Sequence, residues 1–392
     1  MPKRQLLVLF ACNFISFLGI NTLMSLLPVH LEQLGADSTR TGTFFSTNFF
    51  ALGMGTVVAG WLLDRYRRRK LMLIGASAVA IPMMWLMGQT RDLTQLALVS
   101  VVYWFTMGIF FSTLNVLTGL FATEDERGRI FGLLSSAVAM SGVLSGAISG
   151  RIADAWGFTA LFTATSVVLL SIPFIALLLE EYKDADSAAQ QGTAKRSFTL
   201  SKGFMILFAA TVLGFIVNSA GTLFRPLLMT GMGFGATDVS TTVAVGALIG
   251  LPLPFLVGWL SDRIGRKPLL ILCFLANALG LVVLLGAFSA WHFWLSMAFQ
   301  ISMAASMAVG SALIADLVPA ESLGVSLSLF TFANSVGFVI GFASTGSAMQ
   351  HFGTSTTLLL GCALAFASVA LLTFIRITTP NTTANQVAPA TP

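Results

Sequence analysis

Apolar residues run along this chain in long blocks, and polar or charged residues gather in short breaks between them. About 20 apolar residues suffice for a helix to cross a hydrocarbon core. Twelve blocks meet that requirement: 5–28, 42–62, 71–89, 94–121, 130–150, 158–179, 204–229, 238–260, 269–289, 293–315, 325–348 and 355–376. The pattern predicts an all-α polytopic membrane protein. Pro82, Pro173, Pro252 and Pro254 interrupt blocks, which membrane helices tolerate when neighbouring groups re-satisfy the backbone. The longest polar stretch before the tail, about 181–202, divides the chain into an N-terminal six-helix bundle (1–180) and a C-terminal one (203–376). Its low apolar content reads as a flexible linker. Residues 377–392 read as a disordered Thr/Pro/Asn tail.

Composition agrees. The 392 residues are 56% hydrophobic and 9% charged, and the mean hydropathy is +0.87, more apolar surface than a soluble domain hides. The net charge of +5 does not point to nucleic acid, because the cations sit in short breaks beside apolar blocks, where they set topology. With a cytoplasmic N-terminus, all of the 21 Lys and Arg residues except Arg40, Arg91, Arg151 and Arg225 fall on the inner face. That asymmetry predicts both termini inside a bacterial-type inner membrane. The first 30 residues imitate a signal peptide but read as an uncleaved first helix. Cys12, Cys273 and Cys362 each lie within an apolar block, so neither a disulfide framework nor a metal site is implied. No His-Glu-x-x-His, Gly-x-Ser-x-Gly or Gly-Lys-[Ser/Thr] motif occurs. The expectation is a non-enzyme without cofactor, not driven by ATP.

The densest charge cluster is Gly60-Trp61-Leu62-Leu63-Asp64-Arg65-Tyr66-Arg67-Arg68-Arg69-Lys70. It recurs 198 positions later as Gly258-Trp259-Leu260-Ser261-Asp262-Arg263-Ile264-Gly265-Arg266-Lys267, and a repeat at half the chain length indicates two homologous halves. The frame Gly-x-x-x-Asp-Arg-x-Gly-Arg-[Arg/Lys] between apolar segments resembles the signature of the major facilitator superfamily. The second copy fits fully, and the first carries Arg67 in the glycine slot. The resemblance covers roughly residues 5–376 and lies closest in pattern to the drug and metabolite exporter branch. It implies two pseudo-symmetric six-helix bundles with a substrate site near the midplane between them, exposed alternately to each side.

What else the resemblance implies concerns gates and cavity. Gly60, Asp64, Arg65, Gly258, Asp262, Arg263 and Asp316 would form cytoplasmic latches, a carboxylate at one helix end accepting from the exposed amides of a facing helix. Asp64 would face Ser322–Val325 and Asp262 would face Arg127–Ile130. Arg263 would pair with Asp316, and Arg65 with Glu124, Asp125 or Glu126. The first, fourth, seventh and tenth segments would line the cavity. They carry Asn13, Phe17 and Asn21; Tyr103, Trp104, Phe111 and Asn115; Asn218, Thr222 and Arg225; and Gln300, Met303 and Met307. Thr211, Phe215, Asn218, Thr222 and Arg225 share one helical face. A single Asn in such a set also serves as glue between helices. The fourth segment has Trp104 where drug–proton antiporters carry an arginine, and no Asp or Glu falls mid-segment.

Two further features have more than one reading. Gly142, Gly146 and Gly150 in the fifth segment, and Gly337 and Gly341 in the eleventh, permit close helix packing. The fifth segment also resembles the antiporter signature Gly-x-x-x-Gly-Pro-x-x-Gly, with Ala147 replacing the proline. Arg225 lies about five residues from the outer end of its segment. It snorkels to the interface, or gates the outer side with Glu32, or binds an anionic substrate group. The function expected is secondary transport of a small organic molecule, as export of amphipathic compounds. The alternatives are uptake of a sugar, organic acid or other metabolite, and a non-transporting membrane receptor or scaffold. The partners implied are a small-molecule substrate, a coupling proton or ion and the lipid bilayer, around a monomer.

Overall fold

The structure is a computed structural model that describes residues 3–66, 68–121, 127–180, 202–318 and 322–375. The expected linker and tail, and Glu124, Asp125 and Glu126, fall outside the described residues. So do the side chains of Asp64 and Asp262 and the surroundings of Gly258.

The N-terminal helices are α1 (Lys3–Gln33), α2 (Ser38–Tyr66), α3 (Arg69–Met87), α4 (Leu93–Phe121), α5 (Arg127–Leu169) and α6 (Ser171–Ala176). The C-terminal helices are α7 (Lys202–Gly231), α8 (Ala236–Gly250), α9 (Leu253–Ile264), α10 (Arg266–Leu285), α11 (Ala290–Gln300), α12 (Ser302–Leu317), α13 (Leu323–Phe352) and α14 (Thr354–Thr373). Helices suit such a sequence because each satisfies its own backbone in a medium without water. α5 holds two spans, since Gly157 at φ 78° turns the chain within it; α6 extends the second. The eighth span is α8 and α9, broken at Pro252, and the tenth is α11 and α12, broken at Ile301. These joins make twelve spans from the fourteen helices, so that the first and last described residues, Lys3 and Ile375, lie on one side.

Each break has a local cause. Pro252 has no amide hydrogen to continue the ladder. At the tenth span the Ser302 hydroxyl turns back on the Phe299 carbonyl at 2.6 Å and reaches the Cys273 carbonyl at 2.9 Å, a pattern that bends helices. Gly265, the glycine of the second signature copy, has φ 87° between α9 and α10, a conformation open mainly to glycine.

Within each half the repeat is visible in one contact. Lys70 Nζ donates to the Leu177 carbonyl at 2.7 Å. In the other half, Lys267 Nζ donates to the Thr373 and Ile375 carbonyls at 2.8 and 2.6 Å. Each lysine ties the third span of its half to the end of the sixth.

The halves meet along two seams, α2 against α13 and α5 against α8. Small residues make both seams. A Cβ on Gly42 would overlap the backbone of Phe342 and Gly346, and one on Gly146 would overlap that of Ser240 and Ala244. The Ser46 hydroxyl donates to the Val339 carbonyl at 2.7 Å, and Phe45 stacks on Phe342 at 5.2 Å. Gly337 and Gly341 serve another purpose, receiving α7 at Phe215 and Ser219 within the C-terminal half.

Candidate functional site

The end of the bundle remote from the termini is sealed by contacts between the halves. Asp154, near the end of the fifth span, accepts from the backbone amides of Ala236 at 3.0 Å and Thr237 at 2.8 Å. These are free donors of the first turn of α8, where the helix dipole also favours a negative charge. Thr230 Oγ1 donates to Glu32 Oε2 at 2.6 Å, joining α7 to α1. The expected Arg225–Glu32 pair is therefore corrected: Glu32 is held by Thr230, one turn beyond Arg225. We expect Asp154→Asn to loosen this seal. A charge–dipole contact of about 0.3–2 kcal/mol corresponds to a several-fold shift in a balanced equilibrium. Labelling of a cysteine at Thr237 from the sealed side should rise accordingly, and unchanged labelling would remove Asp154 from the seal.

At the terminus-bearing end the signature arginines lie on their own helices. Arg263 sits 4.0 Å over the Trp259 ring, and Arg65 lies 5.7 Å from Trp61 and 5.8 Å from Tyr66. Asp316 is bound instead by Arg266, at 2.6 Å, which also donates to the Ala312 carbonyl. This corrects the expected Arg263–Asp316 pair. Arg266 is the arginine that follows the flexible Gly265, so its side chain turns back onto α12. Nothing lies within 4 Å of a Cβ built on Gly60, and Trp61 and Trp259 are exposed.

Between these ends lie two cavities that share Asn21, Val243, Met297, Ile301 and Ala304 in their walls. The larger, about 580 Å³, reaches the terminus-bearing end at Ser261, Arg266 and Ala312. The deeper, about 320 Å³, is closed beyond by the seal. Together they form a chamber that is open at one end.

The deep cavity gathers seven expected residues: Asn21, Asn218, Thr222, Arg225, Gln300, Met303 and Met307. Others lie elsewhere. Asn13 is buried and donates to the Leu134 carbonyl at 2.9 Å, gluing α1 to α5. Tyr103 is buried behind Gly19. Trp104 stands behind the wall, packed on Phe49 at 5.2 Å. Phe17 and Phe111 pack on each other at 4.7 Å, and Asn115 is exposed one turn from Phe111. Residues that sequence reasoning missed also line it, among them Phe49, Phe338, Asn334, Thr242 and Met297. Phe338 packs on Phe49 at 4.6 Å and on Phe215 at 5.3 Å, a three-ring wall. The available signal was Asn334-x-x-x-Phe338, one face of a helix whose small residues bring it against α2.

Gln300 and Arg225 form the polar corner. Gln300 ends α11 and sits between two glycines, where a Cβ on Gly221 of α7 or on Gly280 of α10 would strike it. Its Oε1 accepts from Nη2 of Arg225. Arg225 is only 5% exposed, so it does not snorkel to the interface. No Asp or Glu lines this cavity among the described residues.

A recess of about 520 Å³ at the sealed end holds His30, Glu32 and Asp154. His30 is buried against Phe158 at 4.5 Å. Among the described residues, no cluster of His, Cys, Asp and Glu is arranged to hold a metal.

Two six-span bundles around a one-ended chamber are the architecture of a known transporter class. The model for the Major Facilitator Superfamily matches residues 9–260 and 238–391. The chain belongs to that superfamily. It is a multi-pass membrane transporter, whose substrate is a small molecule and whose surroundings are lipid. Curated relatives include the multidrug resistance protein MdtG of Klebsiella pneumoniae, 26% identical over 297 residues, 71% of each chain. The same-named protein of Serratia proteamaculans is 25% identical over 307 residues, 74% of this chain and 73% of the relative. Among solved structures, a point variant of the nucleoside transporter NupG superposes with a TM-score of 0.80 at 14% identity, over 95% of this chain and 99% of its own. A bacterial homologue of the lysosomal transporter Spinster, inward-facing and unoccupied, gives a TM-score of 0.70 at 15% identity, over 96% and 95%. At these identities the likeness of the superfamily structures concerns the fold.

Proposed function

We propose that this protein exports amphipathic organic compounds by alternating access across a bacterial inner membrane, as a monomer with both termini in the cytoplasm. The observation that carries the proposal is the chamber between the halves, sealed at one end and walled by aromatic and Met side chains with a few polar groups. Such walls accept varied apolar bodies. The excess of Lys and Arg beside the open end supports a cytoplasmic assignment for it, so the state described is inward-open. The names of the curated relatives support drug-like cargo. Residues 1–180 and 203–376 rock as units about the seams. When the chamber closes toward the cytoplasm, Asp64 and Asp262 reach across to the opposite half, and Arg65 and Arg263 leave their tryptophans. His30, Glu32 and Asp154 are the titratable groups grouped beside the seal, and they are our candidates for proton coupling.

Inside-out membrane vesicles test the proposal. Energised vesicles containing the protein should accumulate phenylnaphthylamine, a neutral aromatic amphipath, above empty vesicles. Phe338→Ala should raise the half-saturation concentration about tenfold, the scale expected for losing one aromatic contact. Accumulation equal to empty vesicles would reject export of such compounds.

A further inference from the structure

Arg225 is a buried cation facing a cavity that contains no carboxylate among the described residues. Arginine keeps its charge in proteins, and an ion taken out of water without a counter-charge is strongly disfavoured. The candidate counter-charge on the sequence, Glu32, accepts from Thr230 instead. Among the described residues Arg225 has one neutral hydrogen-bond partner, the Gln300 amide oxygen.

That single bond fixes what the corner presents. With Oε1 turned to the guanidinium, the Gln300 amide nitrogen must point the other way. Gln300 Nε2 and Arg225 Nε are both buried, and neither has a hydrogen-bond partner. Gln300 is 4% exposed, slightly more buried than Arg225. The corner therefore holds one positive charge and two N–H donors without acceptors. Buried donors are normally satisfied. Those two atoms are enclosed in the packing, Gln300 Nε2 against Gly221 of α7, so the guanidinium that lines the cavity is what a ligand meets. An oxyanion supplies the missing charge there, and guanidinium groups recognise such oxyanions with paired hydrogen bonds. The Phe49, Phe215 and Phe338 wall borders the same cavity.

We propose that the cavity selects amphipathic organic anions, with a carboxylate, sulfonate or phosphonate on Arg225 beside Gln300 and the apolar body against the three phenyl rings. This deepens the export reading and rests on it. It also gives the cation a use in the cycle: the site is most costly when empty, so an anionic cargo stabilises the closed chamber more than a neutral cargo of equal area.

The test uses two dyes that share one aromatic skeleton, anilinonaphthalene sulfonate and the uncharged phenylnaphthylamine. Equilibrium dialysis of the full chain in phosphatidylcholine nanodiscs, with empty nanodiscs as the blank, gives both affinities. The unmodified protein should bind the sulfonate at least about tenfold more tightly than the amine. In Arg225→Gln the ratio should fall to about one. Gln300→Glu keeps the guanidinium partnered while neutralising the corner, so it should show the same loss even where Arg225→Gln folds poorly. Equal affinities in the unmodified protein, or a preference that survives both substitutions, would overturn the inference. So would displacement of the sulfonate dye by phosphatidylglycerol added to the nanodiscs, which would make the occupant a lipid head group. Binding and transport of the neutral dye without an anion preference would leave the export reading intact and reject the anion site alone. Failure of both dyes to bind or move would reject both.

Discussion

Gly146→Val should reduce transport to below about a tenth and leave the sealed end open. Gly146 receives α8 so closely that any Cβ overlaps the backbone of Ser240 and Ala244. Backbone cannot rotate away as a side chain can, so the helices must separate. Overpacking costs about 1–3 kcal/mol. This seam joins two halves that have another way to sit, and the strain is relieved by opening rather than by unfolding. An energy of about 1–3 kcal/mol is roughly a 5–150-fold change in population. A cysteine at Ser46, on the other seam and bonded to the Val339 carbonyl, reports on it. The native Cys12, Cys273 and Cys362 are buried and give little background. Labelling of the Ser46 cysteine by a membrane-impermeant reagent from the sealed side should rise at least fivefold, about the low end of that range. Gly53→Val is the control, because a Cβ at Gly53 would meet nothing within 4 Å. Equal labelling and equal transport in Gly146→Val and the unmodified protein would show that the seam does not govern access.

The twelve spans were legible because length and apolarity alone decide which segments cross a bilayer, and both are written in the sequence. The breaks were partly legible. Pro252 announces one, whereas the bend at Ile301 depends on a carbonyl of another helix, Cys273, which no local pattern reveals. The repeat of the signature motif located the charged loops but not the partner of Asp316. Asp316 goes to Arg266 rather than Arg263, because the residue that reaches it depends on the turn at Gly265.

The cavity was less legible for a physical reason. A membrane helix is apolar on every face, so periodicity does not separate the side facing lipid from the side facing substrate. A bond between helices does not by itself separate the polar residues, since Asn21 lines the cavity while donating to Ser141 Oγ at 3.0 Å. Asn218 and Gln300 are cavity residues, whereas Asn13 is spent on the Leu134 carbonyl. Phe49 carries no mark at all, and Phe338 is marked only by sharing a helix face with Asn334. They enter the wall because α2 and α13 meet across the halves, a contact made by Gly42 and Gly346 well outside the residues concerned.

Gly221→Val should destabilise the protein more than its size suggests, and removal of Arg225 should repair much of the damage. Gly221 and Arg225 are four residues apart on one face of α7, so Gln300 lies over the glycine and meets the guanidinium one turn on. A valine at 221 occupies the place of the Gln300 amide. The displaced amide leaves Arg225 without its described acceptor. Removing one partner of a buried charged contact costs about 3–5 kcal/mol, and the thermal midpoint should fall by roughly 5–10 °C. In the double variant Gly221→Val/Arg225→Met the steric conflict remains but no cation is stranded. The midpoint should recover at least about half of the loss, a non-additivity that two independent sites would not show. If instead the double variant melts at or below Gly221→Val, the cost is steric alone and Gln300 does not serve as the counterpart of Arg225.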